Sequence, residues 1–428
     1  MTDAQLKNYL LLTCVLVLVV VVLRFFRERD YIFWDSSTYF ILLSLLYIGV
    51  PAWAHLSQDI SIISASSETI RFSGQYSLYF LSILIIYYAF KIFLPSGRQV
   101  IPNTILLLPV SVGVIYLIYA LITSYLFLVL YNTSPGLDVL WSNREMGNSF
   151  LYSINKTYKI TFLFYTAVSL ILYLTLKKKG VRYILMLMPF IAIDFMTAGR
   201  TFLYQSLMVW LIIHLVTGRK VPIIKLALMG CLVISVEMFR TSWLDYFLLD
   251  RSFWFLPNEI LITTEAGFLI IDSDRSTDVF SYISYSIGKV LTPQVMSILF
   301  DEVPDYKSII AYETNAETGM GGSLLTEVFS FKNRAWLIVY PFLAIIYLEF
   351  LNYLRRVAGF FGILVLLFYV MSTHSIFRAG FIFIGIEPIY YAIYAVSWYW
   401  FIAIFIPGRI KIPLILKTMR SSIQSKYL

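Results

Sequence analysis

Charge is scarce in this sequence: 14% of its 428 residues are Asp, Glu, Lys or Arg, while 59% are hydrophobic. A soluble domain is nearer about a quarter charged, so this chain lacks the polar surface that solubility in water requires. Cysteine is almost absent, and both copies, Cys14 and Cys231, fall inside apolar runs. That excludes a disulfide framework and leaves two small apolar packing residues. Histidine occurs three times, at His55, His214 and His374, with no His/Cys cluster. The alternation over ~10 residues that marks an outer-membrane barrel is missing, as is the sustained internal repeat of many transporters. The first apolar run, "YLLLTCVLVLVVVVLRFF", is long enough to span a bilayer and has no small-residue cleavage site.

What remains is apolar length. Runs of about 17–27 residues match the ~20 needed to cross a ~30 Å hydrocarbon core, and the mean hydropathy is +0.78. The fold class expected is an all-α polytopic integral membrane protein. Eleven spans are predicted, near 9–26, 38–54, 76–94, 104–130, 158–176, 183–197, 201–217, 222–239, 335–351, 357–373 and 381–406. Pro109 leaves the fourth open to a kink or a division into two segments, so the count is 11–12. The chain then divides into N-terminal spans (1–239, about eight), one large extramembrane connection (240–334), and about three C-terminal spans with a basic tail (335–428).

The net charge of +8 is explained by the loops. One alternate set of connections holds Arg24, Arg27, Arg29, Lys91, Arg98, Lys177, Lys178, Lys179, Arg182, Arg219, Lys220, Lys225, Arg355 and Arg356, together with the tail. The other holds only Lys7, Arg71, Arg144, Lys156, Arg200 and Arg378. The positive-inside rule makes the first set cytoplasmic. The N-terminus and the 240–334 connection then face out, and no nucleic-acid partner is needed to account for the charge.

Residues Tyr183–Val216 would make a helix of about 50 Å, too long for a bilayer. The break is predicted at "TAGR", 197–200, which places Asp194 and Arg200 at the outer mouth rather than at mid-membrane. Parity brings His55, Glu237, Arg240, His374, Arg378 and Glu387 to the same side. Intrinsic pairs (Asp194 with Arg200, Glu237 with Arg240, Glu387 with Arg378) are the structural reading. Arginines gathered at an intramembrane mouth also suit a phosphate or pyrophosphate. His374 is a candidate acid or base.

The outer connection contains an amphipathic stretch at 278–291 that can lie along the membrane face. It ends in "ETGMGGSLLTEVFS", 317–330, where Ser323 is placed to cap a helix from Leu324. A glycine-rich turn before a helix is a candidate phosphate site, although the lysine and spacing of a P-loop are missing. Glu327 falls in the first turn of that helix.

The "AGRT" hairpin (198–201), "GMGGSLLTEVF" (319–329) and "HSIFRAG" (374–380) resemble the Wzy-type O-antigen polymerases, which join oligosaccharide repeat units. The hydropathy plan is similar along most of the chain, while the motifs cover about 40 residues. An odd span count with an outside N-terminus departs from the even plan expected of that family. The resemblance implies a GT-C-like glycosyltransferase of the bacterial inner membrane, with 240–334 as a periplasmic loop and the active face periplasmic. Donor and acceptor would be glycans on undecaprenyl pyrophosphate, with a chain-length regulator as a further partner. Arg200, Arg240 and Arg378 would hold the pyrophosphate, and His374, Glu327 or Asp194 would serve as base. No cofactor is expected and, with no outward Asp-x-Asp motif, the reaction would be metal-independent. The alternatives are an O-antigen ligase using the same donor and a polysaccharide flippase or transporter.

Overall fold

The computed structural model describes residues 2–57, 65–93, 110–136, 144–178, 180–197, 201–219, 258–273, 275–291 and 322–405, with Leu228 and Ile309 as isolated positions. The described chain is almost entirely helical, and seven helices are long and apolar enough to cross a membrane. They are Asp3–Glu28 (α1), Ser36–Ser57 (α2), Ser67–Phe93 (α3), Val112–Thr133 (α4), Ile160–Lys178 (α6), Ala335–Val357 (α12) and Gly359–Ala379 (α13). Helix α5 (Arg144–Tyr158) lies between α4 and α6. Among the described residues, a multi-pass α-helical membrane protein is therefore what the chain builds. Helices suit this role because each satisfies its own backbone polar groups where no water is available.

The predicted spans map onto these helices with three differences. The run 183–197 starts as a 3-10 helix, Val181–Leu187, and becomes α-helical only over Met188–Met196 (α7). Thr201–Val216 (α8) follows it as a short apolar helix. The run 381–406 is two helices, Phe381–Ile384 (α14) and Glu387–Phe405 (α15), separated at Gly385–Ile386. Glu387, six residues into the predicted span, opens α15. Pro388 has no N–H to offer the Ile384 carbonyl, and an acid in a first helical turn complements the dipole. The predicted span 222–239 lies outside the described residues. Pro109 does too, and α4 begins beyond it with Ser111 as its N-cap.

Lipid-facing and inward faces separate cleanly on α1. Leu12, Leu23 and Phe26 are exposed, while Leu6, Leu10 and Val17 are fully buried. Close packing of α1 on α2 depends on Gly49, where an added Cβ would stand 2.8 Å from Cys14 Sγ. Small residues at such crossings are the usual membrane solution.

The two ends of the bundle differ. At one, Arg24 of α1 and Lys91 of α3 meet Asp35, just ahead of α2. At the other, Arg71 pairs with Asp3 at 2.6 Å, and Thr69 donates to Asp272 of helix α9, Asn258–Asp272. Arg71 and Lys91 are about 30 Å apart along α3 at about 1.5 Å per residue, the thickness of a hydrocarbon core. The other helices among the described residues of the long connection, Val279–Leu291 (α10) and Leu324–Phe329 (α11), sit with α9 at the Arg71 end. There α9 packs on α11, α2 and α3, and α10 packs on α14. A parallel bridge between Thr277 and Phe331 ties the entry of α10 to the exit of α11.

Candidate functional site

Two charge centres emerge, one at each end. The centre at the basic end was not anticipated from the sequence. Asp35 is 2% exposed and is shared by Arg24 at 2.6 Å, Lys91 at 3.0 Å and the Asn352 side-chain amide at 2.8 Å. Lys91 also reaches Glu349 at 2.5 Å, and Arg24 reaches Glu28 at 3.1 Å and lies over the Tyr88 ring. Burial pushes the Asp35 carboxyl pKa up, but Lys91 and Arg24 beside it more than reverse this and hold it well below the usual carboxylate range. Asp35 also caps α2, accepting from the Ser37 backbone N–H at 2.9 Å, and Asn352 accepts from the Ser36 N–H at 3.1 Å. The network thus joins α1, α2, α3 and α12 by closed pairing of opposite charges. That is a structural clasp, since each buried charge has its counter-charge.

The opposite end gathers the residues expected to carry chemistry. His374 and Arg378 occupy successive turns near the end of α13, four residues apart on one helix face. The His374 imidazole lies 5.6 Å from the Tyr47 ring and 5.6 Å from the Tyr204 ring. Tyr47 is delivered by a π-helical turn, Leu45–Gly49, inside α2. Pro51 follows it and cannot donate to the Tyr47 carbonyl, the local reason for the irregularity. Tyr204 comes from the first turn of α8. Asp194, at the end of α7, accepts from the Leu203 backbone N–H at 2.7 Å, so it caps α8 across the hairpin and fixes where Tyr204 starts. Arg200, Arg240 and Glu237 lie outside the described residues. His55 is buried with its ring edge on Phe268 of α9, 5.1 Å away.

One turn deeper, the Tyr165 hydroxyl meets Ser372 Oγ at 2.9 Å, and its ring stacks on Tyr391 at 4.2 Å. Polar and aromatic groups of α6, α8, α13 and α15 therefore line the same end of the bundle. Among the described residues, no three His, Cys, Asp or Glu side chains converge as a metal site.

Glu327 has a different setting from the one its position in the sequence suggested. It is 0% exposed. Its Oε1 accepts from the Tyr282 hydroxyl at 2.8 Å, and its Oε2 accepts from the Tyr340 hydroxyl and from the Phe381 N–H at 2.8 Å. The Ile382 N–H reaches both oxygens at 3.1 Å. The short helix that carries it is capped by its own residues: Thr326 N–H donates to Ser323 Oγ at 3.2 Å, and Ser323 N–H to Thr326 Oγ1 at 2.8 Å. Ser323 is thus the N-cap the sequence indicated. The same box engages the Ser323 and Thr326 N–H groups at the helix end expected as a phosphate seat, and all six residues of α11 are buried; the glycine-rich turn before it lies outside the described residues.

No family model, no curated protein and no solved structure matches the chain. What can be said of its chemistry rests on the residues above. They comprise an imidazole between two tyrosine rings, a guanidinium one turn on, and a cap of helices from the long connection over the same end.

Two features were missed in the sequence. Asp35 was legible as an N-cap, an acid just before Ser-Ser-Thr and an apolar run. Tyr282 and Tyr340 carried no local signal, because only folding brings them to one carboxylate.

Proposed function

We propose that the chain is a membrane glycosyltransferase that polymerises oligosaccharide repeat units carried on undecaprenyl pyrophosphate. The positive-inside rule assigns the Arg24–Asp35–Lys91 end to the cytoplasm. The working end is then the outer, periplasmic face of a bacterial inner membrane. The observation that carries this reading is the placement of His374 and Arg378 on the last turns of α13, between Tyr47 and Tyr204, at the end roofed by α9, α10 and α11.

In the proposed reaction a hydroxyl oxygen of the acceptor's terminal sugar bonds to the anomeric carbon of the donor glycan. The bond from that carbon to the pyrophosphate oxygen breaks, and undecaprenyl pyrophosphate leaves. His374 takes the hydroxyl proton. Arg378, with Arg200 and Arg240, bears the charge that develops on the leaving pyrophosphate, a task suited to a planar guanidinium. Tyr47 and Tyr204 orient the imidazole, and the half-buried Tyr204 ring offers an apolar face to a sugar ring.

The test is deletion of the gene followed by gel analysis of surface polysaccharide. Loss of the long-chain ladder with retention of a core-plus-one-repeat band is the expected result. Loss of both bands would assign the step to a ligase or a flippase instead, and an intact ladder would remove the proposal. Arg378→Ala, present at wild-type level in the membrane, should reproduce the deletion.

A further inference from the structure

The Glu327 carboxylate offers about four lone-pair directions. Two hydroxyls and two backbone N–H groups fill them. An added Cβ on Gly380 would fall 2.3 Å from its Oε1, so the main chain also packs directly against the carboxylate. The group is instead built into the backbone. Phe381 and Ile382 open α14, and their N–H groups are among those a helix start leaves without an intrahelical acceptor. Burying such donors at membrane depth is tolerated only if something accepts from them.

Glu327 therefore sets where α13 ends, at Ala379, one residue beyond Arg378 and five beyond His374. Its third partner, Tyr282, is on α10, a helix of the outer connection whose Phe280 and Ile287 are exposed. The fourth, Tyr340, is on α12 beside Pro341. One carboxylate thus joins the outer helices, α12 and the broken α13–α14 segment.

We propose that Glu327 is a positioning residue rather than a base: it clasps the α13–α14 break so that Arg378 and His374 are held in their working places, and Tyr282 makes that clasp depend on the seating of α10. The clasp itself rests on geometry alone. Its consequence for turnover rests on the polymerase reading above.

The two parts are separated by two measurements on the full-length protein in lipid nanodiscs. Amide hydrogen exchange across residues 378–386 reads the clasp without reference to function. Polymerisation of a lipid-linked repeat unit reads turnover. Glu327→Gln keeps the size of the side chain but presents an N–H₂ where donors already point. It should speed exchange of the Phe381 and Ile382 amides by about tenfold or more, as expected for lost hydrogen bonds to a charged acceptor, while α4 peptides keep their wild-type rates. Tyr282→Phe and Tyr340→Phe each remove one donor and spare the backbone contacts, so they serve if Glu327→Gln does not fold. Each should give a smaller rise in exchange with a parallel fall in kcat. Lost turnover with exchange unchanged in Glu327→Gln, and wild-type turnover in Tyr282→Phe, would make Glu327 a proton acceptor and overturn the proposal. Faster exchange with undiminished turnover would overturn it as well. A wild-type protein that does not polymerise would sink the polymerase reading, and the exchange rates would still decide whether the clasp exists.

Discussion

Gly380 and Glu327 are in mutual contact across 53 residues of sequence, so close that a Cβ at Gly380 would stand 2.3 Å from Glu327 Oε1. Gly380 also has φ +93°, in the region that favours glycine. Gly380→Ala should therefore lose both the backbone conformation and the clasp, costing about 2–5 kcal/mol. Gly359 has φ +54° with open space around it, and Gly359→Ala should cost only about 1 kcal/mol. Thermal unfolding in detergent, followed by tryptophan fluorescence, checks the ranking. Equal melting temperatures would contradict it.

At the basic end, Asp35→Ala strips the counter-charge from Arg24 and Lys91 in a buried site. Breaking a buried pair in this way typically costs about 3–5 kcal/mol. Asp3→Ala, which breaks the exposed pair with Arg71, should leave the melting temperature almost unchanged, because solvent screens that pair. A double-mutant cycle on Asp35 and Lys91 gives the coupling directly.

The Asp35 pKa also fixes a pH dependence. Its folded value is depressed, so its contribution to stability is fully present above the unfolded value of about 3.9 and is lost as pH falls below that toward the folded value. Melting temperature should therefore show no Asp35-dependent slope between about pH 5 and 8. An acid-side decline is expected below about pH 4, and it should flatten in Asp35→Asn, measured from its lower starting stability.

Asp194→Ala removes the acceptor for the Leu203 N–H at the start of α8. A lost cap of this kind costs about 1 kcal/mol, which a bundle of this size survives. Because Tyr204 follows Leu203 and lies on His374, the variant should be folded but make shorter or fainter polysaccharide ladders. Wild-type ladders would separate the α7–α8 hairpin from the working end.

His374→Ala should abolish the ladder, and His214→Ala should not. His214 sits near the far end of α8, with its Nδ1 2.9 Å from the Trp210 carbonyl and its ring 4.6 Å from the Trp210 ring. Both variants are scored against membrane protein level, so that a loss of folding is not read as a loss of chemistry.

Much of the architecture was legible because hydropathy and loop charge act locally. The run at 9–26 is helical in α1, α7 ends at Met196 and α8 starts at Thr201 on either side of "AGR", and the basic residues at Arg24, Lys91 and Arg355 share one end. The break at Gly385–Ile386 was harder to see. The stretch Phe381–Phe405 is apolar throughout, and its interruption depends on partners elsewhere, with the Tyr347 hydroxyl donating to the Gly385 carbonyl at 2.5 Å. Glu327 is a candidate base in the sequence only through the family resemblance, and its partners Tyr282, Tyr340, Phe381 and Ile382 come from three other helices.

The sequence by itself determined that this chain enters a bilayer, where most of its long apolar helices lie and which end carries the positive charge. These follow from transfer free energies and local charge counts, which need no knowledge of neighbours. Tertiary structure decided which of the polar and charged groups meet. It set Asp35 between Arg24 and Lys91, closed Glu327 inside a ring of donors, and left His374 between two tyrosines one turn from Arg378. A buried charge needs a counter-charge or hydrogen-bond donors around it, and those partners lie as far as 317 residues away in the chain, as Asn352 does from Asp35.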